Sequence, residues 1–212
     1  MIPRVKICGL SRPEDIEAVN EAQADYAGFV FFEKSIRNVS FRQAKELLSL
    51  LDDRISSVAV CVSPDEETAK QILDLGFDLI QIHGKIPEIL LDAGGIPLWQ
   101  AVNLSDDMDM EQFLWHPSVC GCVVDGAKYG GGETFGWNEE TSQLQMVKKI
   151  FSRESKEKRV DRILAGGLNT ENVSRGIQLF APDIVDVSSG VETDGKKDRR
   201  KIEAFIRKVR EV

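Results

Sequence analysis

Eight short runs rich in Val and Ile recur along the chain, each separated from the next by a longer stretch. The pattern predicts strands at Arg4–Cys8, Tyr26–Phe31, Ile55–Val62, Asp78–His83, Pro97–Val102, Val119–Asp125, Arg162–Ala165 and Asp183–Val187. Most are apolar at successive positions, as parallel strands covered by helices should be. Eight strand–helix units in 212 residues predict an α/β protein, a single (β/α)8 TIM barrel occupying residues 1–212 as one domain. A doubly wound open sheet competes with it. That fold has fewer strands and often a glycine-rich first turn, and Cys8-Gly9-Leu10-Ser11 contains no GxGxxG.

The intervening stretches carry helix signals. Ser11 with Glu14, Ser40 with Gln43, and Ser63 with Glu66 each have capping-box spacing, and Asn169 suits a cap near the C-terminus. Apolar residues recur at helical spacing in Phe41–Leu51, Glu66–Leu75, Met108–Trp115 and Lys201–Val209. The charged stretch Arg153–Arg162 reads as a solvated helix end or loop.

Composition narrows the function classes. A net charge of −8 argues against a general nucleic-acid or anionic-membrane binder, both of which need a basic surface. No segment approaches the roughly 18 uninterrupted apolar residues of a membrane span, and the N-terminus has no signal-peptide run, so a cytoplasmic location is expected. Cys8, Cys61, Cys120 and Cys122 fit a reduced compartment. Cys120 and Cys122 should share one strand face as small buried groups, since their spacing is not that of a CxxC metal or redox site.

In a (β/α)8 barrel the active site lies at the C-terminal strand ends. Those ends carry Cys8-Gly9, Ser35 and Arg37, Gln81-Ile82-His83-Gly84, Asp125, Gly166-Gly167 and Ser188-Ser189-Gly190. The two glycine-containing loops after strands seven and eight fall where this fold commonly binds phosphate, because glycine lets the backbone approach an anion closely. Cys8 lies two residues after Lys6, so both side chains should point into the barrel, where an ammonium would favour a thiolate near neutral pH. Read from the residues alone, Cys8 is either such a base or an inert buried thiol. Asp125 ends an apolar strand, where a carboxylate is costly and a partly desolvated one can serve as an acid. Arg37 is either an anion-binding fork or a surface arginine. His83 reads as a hydrogen-bonding barrel residue rather than a metal ligand, and His116 as exposed and structural.

These residues sit inside a wider resemblance. VKICGL at 5–10, GFVF at 28–31, SIR at 35–37, QIHG at 81–84, AGGLNTENV at 165–173, VDVSSGVE at 185–192 and GKKD at 195–198 appear in the order and spacing of phosphoribosylanthranilate isomerase. The chain resembles that family of tryptophan biosynthesis over nearly its whole length.

The resemblance implies an Amadori rearrangement of N-(5-phosphoribosyl)anthranilate to 1-(2-carboxyphenylamino)-1-deoxyribulose 5-phosphate, with no metal and no cofactor. It implies Cys8 as general base, Asp125 as general acid, and Arg37 as the holder of the anthranilate carboxylate. Gln81, His83 and Asp186 are expected to bind substrate, with Asp186 able to hold Lys6. Gly166, Gly167, Ser189 and Gly190 are expected at the phosphate. The expected partner is this small phosphorylated substrate alone, without nucleic acid or membrane, in a monomer or homodimer. One loop departs from the family pattern: residues 129–137 read YGGGETFGW, one residue shorter than usual, with Gly136 replacing an aspartate. Two rival readings are a histidine-pathway phosphosugar isomerase, which typically uses two aspartates, and a non-catalytic phosphosugar-binding barrel.

Overall fold

The computed structural model describes residues 2–92, 95–103, 116, 118–125, 142–151 and 160–212. Within these, β1 (Arg4–Cys8), β2 (Tyr26–Phe31), β3 (Ser56–Val62), β4 (Leu79–His83), β5 (Leu98–Asn103), β6 (Val119–Asp125), β7 (Asp161–Leu164) and β8 (Ile184–Val187) pair in sequence order as a closed barrel. The closing pair, β8 with β1, sets Lys6 beside Asp186. All eight predicted strands are present: β1, β2 and β6 keep their predicted bounds, and the other five shift by one residue at one or both ends.

Alternation along each strand divides the apolar residues into two cores. One lies between barrel and helices, and includes Ile7, Phe29, Ile80 and Val185. The smaller one includes Cys8, Tyr26, Val60, Trp99, Val123 and Ile184, which fill the barrel. Tyr26 and Trp99 meet edge to face there, with ring centroids 5.0 Å apart. A Cβ at Gly121 would collide with the Trp99 indole, so the glycine makes room for the largest interior side chain.

That same region corrects one expectation. The β5–β6 register pairs Leu98 with Val119 but Trp99 with Gly121, which makes Cys120 an extra residue. Cys120 therefore packs towards the barrel-interior cluster, whereas Cys122 joins the outer core; they do not share a face.

The helices are α1 (Pro13–Ala22), α2 (Phe41–Leu48), α3 (Glu66–Leu75), α4 (Glu88–Asp92), α5 (Ser142–Phe151), α6 (Val173–Phe180) and α7 (Arg199–Arg210). Ser40 caps α2 as expected, its hydroxyl accepting from Gln43 N at 3.2 Å. The other two serine boxes are displaced. Pro13 opens α1, Arg12 takes the cap position, and Asp15 accepts from the N–H groups of Ser11 and Arg12 at 2.9 and 3.0 Å. Pro64 follows Ser63, so the α3 cap falls to Asp65, whose carboxylate accepts from Thr68 N at 2.8 Å. Ser63 instead accepts from Lys85 N at 3.0 Å. At α6 the cap position falls to Asn172 rather than Asn169, which instead opens the preceding turn, its side chain accepting from Glu171 N and Asn172 N. Helix α7 buries Ile202, Phe205, Ile206 and Val209, one helical face, against the barrel wall.

The predicted helix Met108–Trp115, the loop 129–137 with Gly136, and residues 153–159 of the charged stretch lie outside the described residues. Among the described residues, no helix is long and apolar enough to cross a membrane, and no cluster of His, Cys, Asp or Glu has the makings of a metal site.

Candidate active site at the barrel mouth

A cavity of about 400 Å³ opens at the C-terminal ends of the strands. It brings together Cys8, Arg37, Gln81, His83, Asp125 and Asp186, drawn from β1, β4, β6, β8 and the loop after β2. Gly166, Gly167 and Ser189 line it too. Gly190 does not line it. This glycine instead packs so closely on the Leu168 carbonyl that a Cβ would collide with it, which lets the loop after β8 lie against the loop after β7. Gly166 and Gly167 have φ of 85° and 64°, a left-handed pair that glycine adopts without strain.

Beneath the thiol lies a buried ion pair. Lys6 Nζ donates to Asp186 Oδ2 at 2.8 Å, and both side chains are buried. Lys6 also interacts with the Cys8 thiol, as their two-residue spacing on β1 requires. Gly28 on the adjacent strand makes this possible: a Cβ there would stand 2.9 Å from Cys8 Sγ and 3.2 Å from Lys6 Cε. Burial works against the Lys6 ammonium, but the charge of Asp186, with its hydrogen bond, leads the effects that outweigh it and hold the Lys6 pKa above the ordinary value.

The thiol responds differently from the simple expectation. Burial pushes the Cys8 pKa up, and the nearby Lys6 and Lys197 ammonium groups only partly oppose that, with Asp186 adding to the rise. Cys8 therefore rests as a neutral thiol at neutral pH, although it has two ammonium groups within electrostatic reach. Cys61, which faces no such charges, is pushed up to about 12 by burial.

His83 is buried, and desolvation together with Lys6 lowers its pKa to about 4. It is a neutral imidazole whose Nε2 lies 3.0 Å from Gln81 Nε2. Gln81 Oε1 and Asp186 Oδ1 are buried and accept no hydrogen bond from the described residues. Buried acceptors normally find donors, and these two belong to side chains lining the cavity. His116 is exposed, with its Nδ1 accepting from Ser118 N at 3.2 Å.

Arg37 is held more firmly than a surface arginine. Its Nε and Nη2 each donate to the Glu192 carboxylate at 2.7 Å. Glu192 in turn accepts from the buried Lys197 Nζ at 2.5 Å. Lys197 also donates to the Ser188 carbonyl at 3.0 Å, and the Ser188 hydroxyl donates to the Cys8 carbonyl at 2.9 Å. Sequence reasoning misses Glu192 and Lys197 as site residues. The only signal for them is their place inside the VDVSSGVE and GKKD segments.

A closed eight-stranded barrel with a thiol, a carboxyl and a held guanidinium around one mouth defines a (β/α)8-barrel enzyme. Sequence comparison identifies the family: the N-(5'phosphoribosyl)anthranilate (PRA) isomerase profile matches residues 5–208. The chain belongs to this family of isomerases of tryptophan biosynthesis. It is 41% identical over 214 residues to N-(5'-phosphoribosyl)anthranilate isomerase of Thermoanaerobacter pseudethanolicus, covering 99% of this chain and 98% of the relative. It is 40% identical to the Clostridium acetobutylicum enzyme of the same name over 213 residues, 98% of each. Phosphoribosyl anthranilate isomerase from Thermotoga maritima superposes with a TM-score of 0.79 at 31% identity, over 99% of this chain and all of that one. An isomerase of the same name, crystallised with reduced 1-(o-carboxyphenylamino)-1-deoxyribulose 5-phosphate, gives the same TM-score, identity and coverage.

Proposed function

We propose that the chain converts N-(5-phosphoribosyl)anthranilate to 1-(2-carboxyphenylamino)-1-deoxyribulose 5-phosphate, with Cys8 as general base and Asp125 as general acid. The observation that carries the assignment is the meeting of Cys8, from β1, and Asp125, from β6, in one cavity. The strands lie on different sides of the barrel, so the two groups address a sugar from different directions.

Asp125 protonates the furanose ring oxygen, and the C1–O bond breaks to give an open-chain iminium ion. That cation acidifies the C2 proton. The Cys8 thiolate removes it, and the electron pair moves to form the enolamine. Tautomerisation of the enolamine gives the ketone, so the whole sequence is an isomerisation with no net gain or loss of atoms. The substrate phosphate binds at the loops after β7 and β8, through Gly166, Gly167, Ser189 and the backbone that Gly190 lets close. Arg37 receives the anthranilate carboxylate. Gln81, His83 and Asp186 face the sugar hydroxyls, with Gln81 Oε1 and Asp186 Oδ1 as acceptors. The anchored phosphate and carboxylate fix the ribose between acid and base.

The test is loss of the substrate's anthranilate fluorescence on adding purified protein, with the product identified by mass and by its ketone carbon in NMR. Formation of the ketose phosphate supports the assignment. Tight binding of the substrate with no turnover would replace it with a non-catalytic barrel.

A further inference from the structure

The loop after β8 folds back as a hairpin whose two short strands are Glu192–Thr193 and Lys196–Lys197. Its two-residue turn is Asp194–Gly195, with φ of 51° and 74°, the left-handed pair of a tight hairpin turn. This register sets Glu192 directly opposite Lys197. The side chains of Glu192 and Lys197 are 6% and 1% exposed, so the ion pair is shielded from solvent at the edge of the cavity.

Glu192 is shared. One oxygen accepts from both Arg37 Nε and Lys197 Nζ, and the other accepts from Arg37 Nη2. A guanidinium presents two bidentate edges, Nε with Nη2 and Nη1 with Nη2. Glu192 takes the first. The aliphatic part of Arg37 passes over Gly9, where a Cβ would collide with Arg37 Cδ, so the stem is also confined. Arg37 lines the cavity, and among the described residues its Nη1 donates no hydrogen bond. Lys197 supplies the second positive charge, so the Arg37–Glu192–Lys197 group keeps a net charge of one and does not repel an incoming carboxylate.

We infer that Glu192, itself held by Lys197, is a positioning residue that orients Arg37 and thereby sets the enzyme's preference for a carboxylate on the substrate's aromatic ring. The inference rests on the proposed role of Arg37 as the carboxylate holder. A guanidinium pinned on one edge loses less freedom when its other edge receives an anion, so its binding contribution falls on the carboxylate-bearing substrate specifically.

The experiment compares kcat and KM for N-(5-phosphoribosyl)anthranilate with those for the N-(5-phosphoribosyl)aniline analogue, which lacks the carboxylate. Glu192→Gln should shrink the preference in kcat/KM for the carboxylated substrate about tenfold, mostly through KM, the size of one charge-assisted hydrogen bond. The analogue, which makes no use of Arg37, should lose less, because any effect passed through Lys197 to Cys8 is common to both substrates and cancels in the ratio. Equal losses on both substrates, or an unchanged preference, would overturn the inference. Glu192→Asp keeps the charge that Lys197 needs but retracts it by one methylene; should the glutamine variant fail to fold, the same criterion applied to Glu192→Asp decides. Arg37→Met separates the two levels. If it leaves the preference intact, the carboxylate role of Arg37 fails and the positioning role with it. If it removes the preference while the Glu192 variants do not, only the positioning role fails.

Discussion

Lys6 and Asp186, paired across the seam that closes the barrel, form a 2.8 Å ion pair directly under the Cys8 thiol. Their separation in sequence is nearly the whole barrel, so the pair exists only when β8 has docked on β1. The same contact closes the fold and charges the floor of the site.

Removing one partner should therefore destabilise the whole barrel. Lys6→Met leaves the Asp186 carboxylate buried without its cation, a loss of about 3–5 kcal/mol for a broken buried pair. Urea denaturation should show Lys6→Met far below wild type, and Lys6→Met/Asp186→Asn partly restored. A single mutant as stable as wild type would mean the pair is not buried in solution.

Catalysis by a thiolate should rise with pH. Burial raises the Cys8 pKa, so at neutral pH most of the free enzyme carries the inactive thiol, and kcat/KM should climb through a limb above the ordinary thiol range. The Lys6 ammonium opposes burial more strongly than any other neighbour, so Lys6→Met should move that limb to higher pH. The Asp186 carboxylate adds to the rise, so Asp186→Asn should move the limb lower. His83 is neutral above about pH 4 and should contribute no limb near neutrality. A profile flat from about pH 6 to about pH 10, across the range where thiols ionise, would argue against Cys8 as the base.

Acid should weaken the Glu192 cluster in a defined direction. Burial raises the Glu192 pKa, but hydrogen bonds from Arg37 and Lys197 outweigh it and leave the pKa below the usual carboxylate value. A depressed folded-state pKa means stabilisation that is complete above the unfolded value and lost as pH falls through the folded one. The gap in Tm between wild type and Glu192→Gln should thus be full at about pH 7 and close as pH drops below the carboxylate range. A gap that widened in acid would reverse the assigned sign.

Gly190→Ala tests the phosphate loops. Its Cβ has no room against the Leu168 carbonyl, so the loop after β8 must move away from the loop after β7. Competitive inhibition by inorganic phosphate should weaken roughly tenfold, the size of one charge-assisted hydrogen bond of ~1.5 kcal/mol. Unchanged inhibition would place the phosphate elsewhere.

The strand periodicity makes the barrel and its mouth legible, because parallel strands covered on both faces leave an unmistakable apolar run. Cys8, Arg37, Gln81, His83 and Asp125 can then be named from their places at or beyond strand ends, Asp186 only from the resemblance around VDVSSGVE, and the cavity collects them all. The protonation of Cys8 is less legible: spacing shows Lys6 nearby, but only the packed interior shows that burial outweighs it. Glu192 and Lys197 read as polar loop residues, since their burial arises from a hairpin folding against Arg37 and not from local sequence. The bulge at Cys120 is equally tertiary, a consequence of fitting Trp99 beside Gly121.

The most direct test of the acid–base assignment is single-turnover kinetics on wild type, Cys8→Ser and Asp125→Asn, with saturating enzyme and fluorescence detection of substrate loss. Each variant should still bind the substrate but react about 10²–10⁴-fold more slowly, the usual loss on removing a positioned acid or base. Either variant turning over at the wild-type rate would contradict the assignment.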